Sequence, residues 1–159
     1  MQQIRPCLWF DGRVDEALAF YTSVFPDGEV LDVNRYPEGA PPPGQPGDVL
    51  TATFRVAGQE FTILNGGPGF PHSPAVSFMV NCDDQAEVDR VWEALLDGGQ
   101  PSQCGWLSDR FGVSWQVIPA GLGELLGDPD PGRAQRAMQS MLAMVKLDID
   151  EMRRAAAGR

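Results

Sequence analysis

Gly58-Gln59-Glu60-Phe61-Thr62-Ile63-Leu64 and Gly112-Val113-Ser114-Trp115-Gln116-Val117-Ile118 are one pattern written twice. Each opens on a glycine and runs into β-branched and aromatic residues, as a strand does when it leaves a tight turn. Setting Gly58 on Gly112 gives an offset of 54. Upstream, Asp15-Glu16-Ala17-Leu18-Ala19-Phe20-Tyr21 lies over Ala86-Glu87-Val88-Asp89-Arg90-Val91-Trp92 at an offset of 71. The difference, 17 residues, is extra chain between helix and last strand in the first half. Pro37 to Asp48, with five prolines and three glycines in twelve positions, is where it belongs. The duplication predicts an α+β fold of two β-α-β-β-β modules.

Working outward, Ile4 to Phe10 reads as a first strand closed by Asp11-Gly12. Asp15 and Glu16 suit the positive end of a helix whose apolar face runs Val14, Leu18, Tyr21, Val24 and Phe25, and Pro26-Asp27-Gly28 stops it. Strands follow at Glu29 to Tyr36, Val49 to Val56 and Gln59 to Asn65, the last two joined through Ala57-Gly58. Gly66 to Pro74, rich in glycine and proline, is a linker between modules of about 1–66 and 74–119. The second module reads as a strand at Ala75 to Asn81, a helix capped by Asp83 or Asp84 with Glu87 as its capping-box acid, and short strands near Pro101 to Leu107 and Gly112 to Pro119. A helical extension of about 120–157 follows. In it Asp130-Pro131 is a helix start, and Ala134, Met138, Met141, Val145, Ile149 and Met152 form one apolar stripe on a long C-terminal helix.

Composition bounds the function. The 159 residues suffice for a packed core, and with 43% hydrophobic and 21% charged residues the mix is that of a globular domain. Twelve basic against 22 acidic residues leave a net charge of −10, which argues against nucleic acid or an anionic membrane surface as partner. No apolar run approaches the ~20 residues of a membrane span, and Met1 to Cys7 lacks a signal peptide's hydrophobic stretch. Three widely spaced cysteines, Cys7, Cys82 and Cys104, fit buried thiols in a reducing cytoplasm better than a disulfide frame or a zinc site.

The familiar catalytic constellations are missing from the sequence. His72 is the only histidine and falls in the Gly/Pro linker, where a solvent-exposed side chain is expected rather than a metal ligand. Asn65-Gly66-Gly67-Pro68-Gly69 has the glycines of a phosphate loop, but Phe70-Pro71-His72-Ser73-Pro74 forbids the helix that must follow. No G-x-G-x-x-G and no G-x-S-x-G occurs, and no base is identified beside any cysteine. What remains is a set of strand residues, Trp9, Phe61, Asn65, Ser77, Trp115 and Gln116. Polar residues inside apolar strands are either hydrogen-bonded in the fold or face a cavity, and the sequence leaves both roles open for Asn65, Ser77 and Gln116.

Several blocks carry a family resemblance. They are Pro6-Cys7-Leu8-Trp9-Phe10-Asp11-Gly12 leading into Glu16 to Tyr21, Leu64-Asn65-Gly66-Gly67-Pro68, Cys104-Gly105-Trp106 through to Trp115-Gln116-Val117-Ile118-Pro119, and Met144 to Ile149. The chain resembles the PhnB-like branch of the vicinal oxygen chelate superfamily, which shares the glyoxalase, bleomycin-resistance and extradiol dioxygenase fold. Sequences of this branch often bear the label 3-demethylubiquinone 3-methyltransferase. The resemblance implies a cavity in each U-shaped sheet, a homodimer, and a metal held by residues of the first and last strands of each module. Carried over, those positions fall near Pro6 or Cys7, at Asn65, at Ala75 or Ser77, and at Gln116, and only Gln116 offers a ligand there. No metal and no cofactor is therefore expected. The expectation is a metal-free small-molecule-binding protein whose ligand meets Trp9, Asn65, Ser77, Trp115 and Gln116. The alternative is a metal-dependent enzyme of the superfamily, a lyase, isomerase or dioxygenase.

Overall fold

The computed structural model describes residues 4–42 and 44–159. Pro43, inside the proline-rich loop, and residues 1–3, where part of the amino-terminal reading falls, lie outside the described residues. The chain divides into two units, with the boundary between His72 and Ser73.

The first unit runs β1 (Cys7–Phe10), α1 (Val14–Val24), β2 (Glu29–Arg35), β3 (Val49–Val56) and β4 (Gln59–Asn65). Its four-stranded sheet has the order β1-β4-β3-β2, with β1 parallel to β4 and the other neighbours antiparallel. β1 is shorter than the sequence predicts. Pro6 has no N–H to give a ladder, so pairing opens with its carbonyl accepting from Thr62 N at 2.9 Å. α1 lays Val14, Ala17, Leu18, Tyr21 and Val24 on one sheet face, where Tyr21 stacks on Phe54 (5.5 Å, 6°) and Phe54 on Phe61 (5.3 Å, 16°). The β3–β4 turn places Ala57 at φ 47° and Gly58 at φ 73°, and both its N–H groups donate to Asp27 at 2.8 Å.

The second unit repeats the order: β5 (Ser77–Cys82), α2 (Gln85–Leu96), β6 (Gln100–Pro101), β7 (Trp106–Ser108) and β8 (Ser114–Pro119), with sheet order β5-β8-β7-β6. β5 and β8 are the parallel pair, as β1 and β4 are in the first unit. Asp84 is the cap of α2, its carboxylate accepting from Glu87 N at 2.8 Å, while the Glu87 carboxylate accepts from Asp83 N at 2.8 Å. The strand expected near Pro101 to Leu107 is interrupted. Cys104 (φ 56°) and Gly105 (φ 82°) both take left-handed conformations and turn the chain between β6 and β7.

The carboxyl-terminal extension forms α3 (Leu122–Leu126), α4 (Pro131–Ala143) and α5 (Ile149–Ala156), and the stripe is divided between α4, α5 and the segment joining them, not laid on one long helix. The expected helix breaks at residues 144–148 because that backbone is used elsewhere. Met144 O and Val145 O accept from Cys104 N and Gly105 N, both at 2.8 Å, as an added rung beside the sheet. The Gln85 amide then clasps Leu147 O (3.0 Å) and Ile149 N (3.1 Å). Asp148 caps α5 through Asp150 N and Glu151 N. Leu122, Met144, Leu147 and Met152 close into a buried cluster with Ile118 and Met141 against it. Among the described residues no helix is long and apolar enough to cross a membrane.

Candidate functional site

In each unit one sheet face is covered by its helix, and pleating sends alternate residues to the other face. In the first unit the Phe54 and Phe61 side faces α1, so Thr51, Thr53 and Arg55 of β3 and Glu60, Thr62 and Leu64 of β4 face away. This open face is ionic. Arg5 and Arg55 both pair with Glu60, Arg55 at 3.1 Å, and Arg55 also reaches Glu29 at 3.4 Å. The Arg55 hydrogen bond, aided by Arg5, holds the Glu60 carboxyl below its ordinary pKa against partial desolvation.

Trp9 shares this open face. Its indole Nε1 donates to Gly67 O at 2.7 Å, and Phe70 meets the ring edge-on at 4.9 Å. A Cβ at Gly66 would stand 2.2 Å from the ring, so this glycine is required by close approach to an indole, not by a phosphate. Asn65 is paired with Phe10, next to Trp9 on β1, and points to the covered side with Phe61 and Ile63. It is 7% exposed. Its Oδ1 accepts from Gly12 N (3.0 Å), its Nδ2 donates to Val49 O (3.1 Å), and its backbone carbonyl accepts from the Tyr36 hydroxyl (2.6 Å). Asn65 stitches three segments together. His72, expected in solvent, is half-buried with its ring 5.5 Å from Phe10, and its Nε2 is shut in without a hydrogen-bond partner.

In the second unit Trp115, 3% exposed, points under α2 and meets Phe78 at 5.5 Å. Its indole donates to Asp109 Oδ2 at 2.9 Å, while Asp109 Oδ1 accepts from Phe111 N (2.8 Å) and Val113 N (3.1 Å). Gln116, the next residue, must point the opposite way. Its Nε2 donates to Ser77 Oγ at 2.9 Å. Register places Met79 of β5 on one side of Gln116 and Trp106 of β7 on the other, forming a single row across three strands.

The structure therefore joins Ser77 to Gln116, sets Trp9 and Asn65 on adjacent strands with opposite orientations, and turns Trp115 away from Gln116. Met79 and Trp106 were missed by the sequence reading. The signal was there: two consecutive strand residues cannot share a face, so the partner of Gln116 had to be sought on the neighbouring strands.

A divalent metal, which the fold family implies, does not fit these residues. Among the described residues no three His, Cys, Asp or Glu side chains gather to hold an ion. Both amide atoms of Asn65 are engaged, and Gln116 offers a single neutral amide oxygen, a weak ligand with no imidazole or carboxylate beside it. A methyl donor fits no better, since Gly66–Gly69 is packed on Trp9 and no helix follows it. Burial, with Glu87 nearby, pushes the Cys82 thiol up to about 11, which keeps it protonated and unreactive. Apart from the sheet faces, a half-open groove of about 530 Å³ lies between the start of α2, Pro119 to Gly121 and α5.

Comparison with known proteins gives a consistent set. The family model described as 3-demethylubiquinone-9 3-methyltransferase matches residues 2–118, ending before α3. The PhnB protein of Bacillus cereus, whose description carries the same methyltransferase label, is 37% identical with a TM-score of 0.69, over 75% of this chain and 100% of that one. Protein PA1353 from Pseudomonas aeruginosa is 25% identical with a TM-score of 0.63, over 75% and 98%. The fosfomycin resistance protein FosX from Listeria monocytogenes, solved with Mn(II) and sulfate, shares the fold at 14% identity and a TM-score of 0.55, over 80% and 97%. No curated protein matches the chain.

Proposed function

The chain belongs to the 3-demethylubiquinone-9 3-methyltransferase family, the PhnB-like branch of the vicinal oxygen chelate superfamily, and from that premise we propose that it is a small-molecule-binding protein that works without a metal. The observation that carries this reading is the donor set of the open sheet face in the second unit. Gln116 and Ser77 form a fixed neutral hydrogen-bonding pair, flanked by Met79 and Trp106, where a metal site would need imidazole or carboxylate. A rigid sheet with one oriented amide between apolar side chains can bind and orient a ligand. It supplies no titratable group near neutrality to move a proton. Trp9 offers a second aromatic surface in the first unit, and Asn65 acts there by holding the segments around it.

The same reading includes a cytoplasmic location, in keeping with three free thiols, and a homodimer. For the dimer, Met138, Leu142 and Val145 leave an apolar strip exposed on the extension.

The test is metal content by elemental mass spectrometry on untagged protein purified without chelators. Below about a tenth of an equivalent, unchanged after soaking in zinc, iron, nickel or manganese, is the expected result. A stoichiometric metal would sink the proposal and put the metal-dependent enzyme, lyase, isomerase or dioxygenase, in its place.

A further inference from the structure

Taking metal-free binding as its basis, we infer that the open face of the second sheet is built for a neutral, flat, two-ring aromatic ligand bearing one hydrogen-bond donor.

Three observations lead there. The first is charge. The chain holds 34 charged side chains, yet every residue that β5, β7 and β8 present on this face is uncharged. The first unit's open face, by contrast, carries the Arg5–Glu60–Arg55–Glu29 lattice. A face with no carboxylate and no basic side chain gives an ionic ligand no counter-charge, and the indole and one amide oxygen replace only part of its lost hydration, so ions are disfavoured against a neutral ligand.

The second is the row Met79–Gln116–Trp106. Neighbouring strands lie about 4.8 Å apart, so the row spans about 10 Å, the long dimension of two fused rings. Its ends are a thioether and an indole, the two side chains best suited to the faces and edges of an aromatic ring. Met79 is 58% exposed although apolar, so its surface is available to a ligand.

The third is the direction of the amide. Because Gln116 Nε2 is given to Ser77, its Oε1 is the atom left to accept, and the ligand supplies the donor.

The experiment uses three naphthalenes on the full chain: 2-naphthol, neutral with one O–H; 2-naphthoate, anionic; and 2-naphthylmethylammonium, cationic. Binding is read from the side-chain N–H resonances of Trp106 and Gln116 in ¹⁵N-labelled protein, assigned with Trp106→Phe and Gln116→Leu. The expected result is saturable movement of both resonances by 2-naphthol, with the two ions binding at least tenfold more weakly. Gln116→Leu should weaken 2-naphthol about tenfold, the loss of one hydrogen bond, while Trp106→Phe, which keeps a ring, stays within about threefold. If an ion binds as tightly as 2-naphthol, if only resonances of the first unit such as Trp9 move, or if none of the three binds, the ligand class is overturned while metal-free binding stands. If 2-naphthol binds only to metal-loaded protein, the underlying reading falls instead.

Discussion

Asp109 shows how much one side chain can settle. It is a buried carboxylate that accepts two backbone N–H groups of its own turn and the indole N–H of Trp115. These bonds hold the β7–β8 turn and fix which face of β8 carries the indole, and so which face carries Gln116. Removing the acceptor leaves donors buried and unpaired. Asp109→Ala should lower stability by about 2–4 kcal/mol, read as a shift in urea midpoint with an altered Trp115 emission. A variant within 0.5 kcal/mol of the parent, a margin typical of surface changes, would show that the turn holds without it. Nothing in the order Ser108-Asp109-Arg110-Phe111-Gly112 announces this role, because the indole that Asp109 meets is recognisable only once β8 has been folded back against β7. Asn65 teaches the same lesson. Its polarity inside an apolar strand was legible, but the three segments it joins come together only in the folded unit.

At the scale of elements, the caps, turns and helix faces followed local chemistry and could be read directly. Asp84 with Glu87, Asp130 before Pro131, and the Ala57-Gly58 hairpin stand where their residue types put them. The failures came where backbone groups are claimed by distant partners. Cys104 takes a left-handed turn that a non-glycine residue rarely adopts, and residues 144–148 leave the helix to bond with that turn. The β3–β4 hairpin offers a test at this scale. Asp27 grips both turn N–H groups, and these bonds, from Gly58 first and Ala57 next, lower its pKa. A depressed carboxyl adds stability above its unfolded value, and this is lost as pH falls through the folded one. Asp27→Ala should therefore cost about 0.5–1 kcal/mol at pH 7, the low end for an exposed carboxylate. In denaturant titrations the gap from the parent should narrow steadily below pH 4. A gap independent of pH would assign the cost to packing instead of to the charged hydrogen bonds.

At the scale of the whole molecule, the duplication visible in the sequence is the architecture: two sheets of the same strand order, each with its parallel pair. The extension is where sequence periodicity misled. Its stripe is divided, with Met141, Ile149 and Met152 turned into the second unit while Met138 and Val145 stay exposed, beside an equally exposed Leu142. If the proposed homodimer uses that strip, Met138→Glu combined with Leu142→Glu should convert it to monomer in light scattering while thermal stability of the monomer is kept. A dimer that survives both changes is built on another surface.

The rung between Cys104-Gly105 and Met144-Val145 also has a consequence for the order in which the protein can be made. The first unit contains all its strands by Asn65, so its sheet can pair while the ribosome is still at work on the rest. The second cannot close its β6–β7 turn or bury Leu147 and Met152 until residues some thirty positions beyond β8 have emerged. At synthesis rates of about 5–20 residues per second that is a wait of about 2–7 s, during which β8 has no cover from the extension. Biogenesis thus treats the two copies of one pattern unequally: the strands of the early copy are followed by no such extension, and the late copy depends on residues translated well after its own strands.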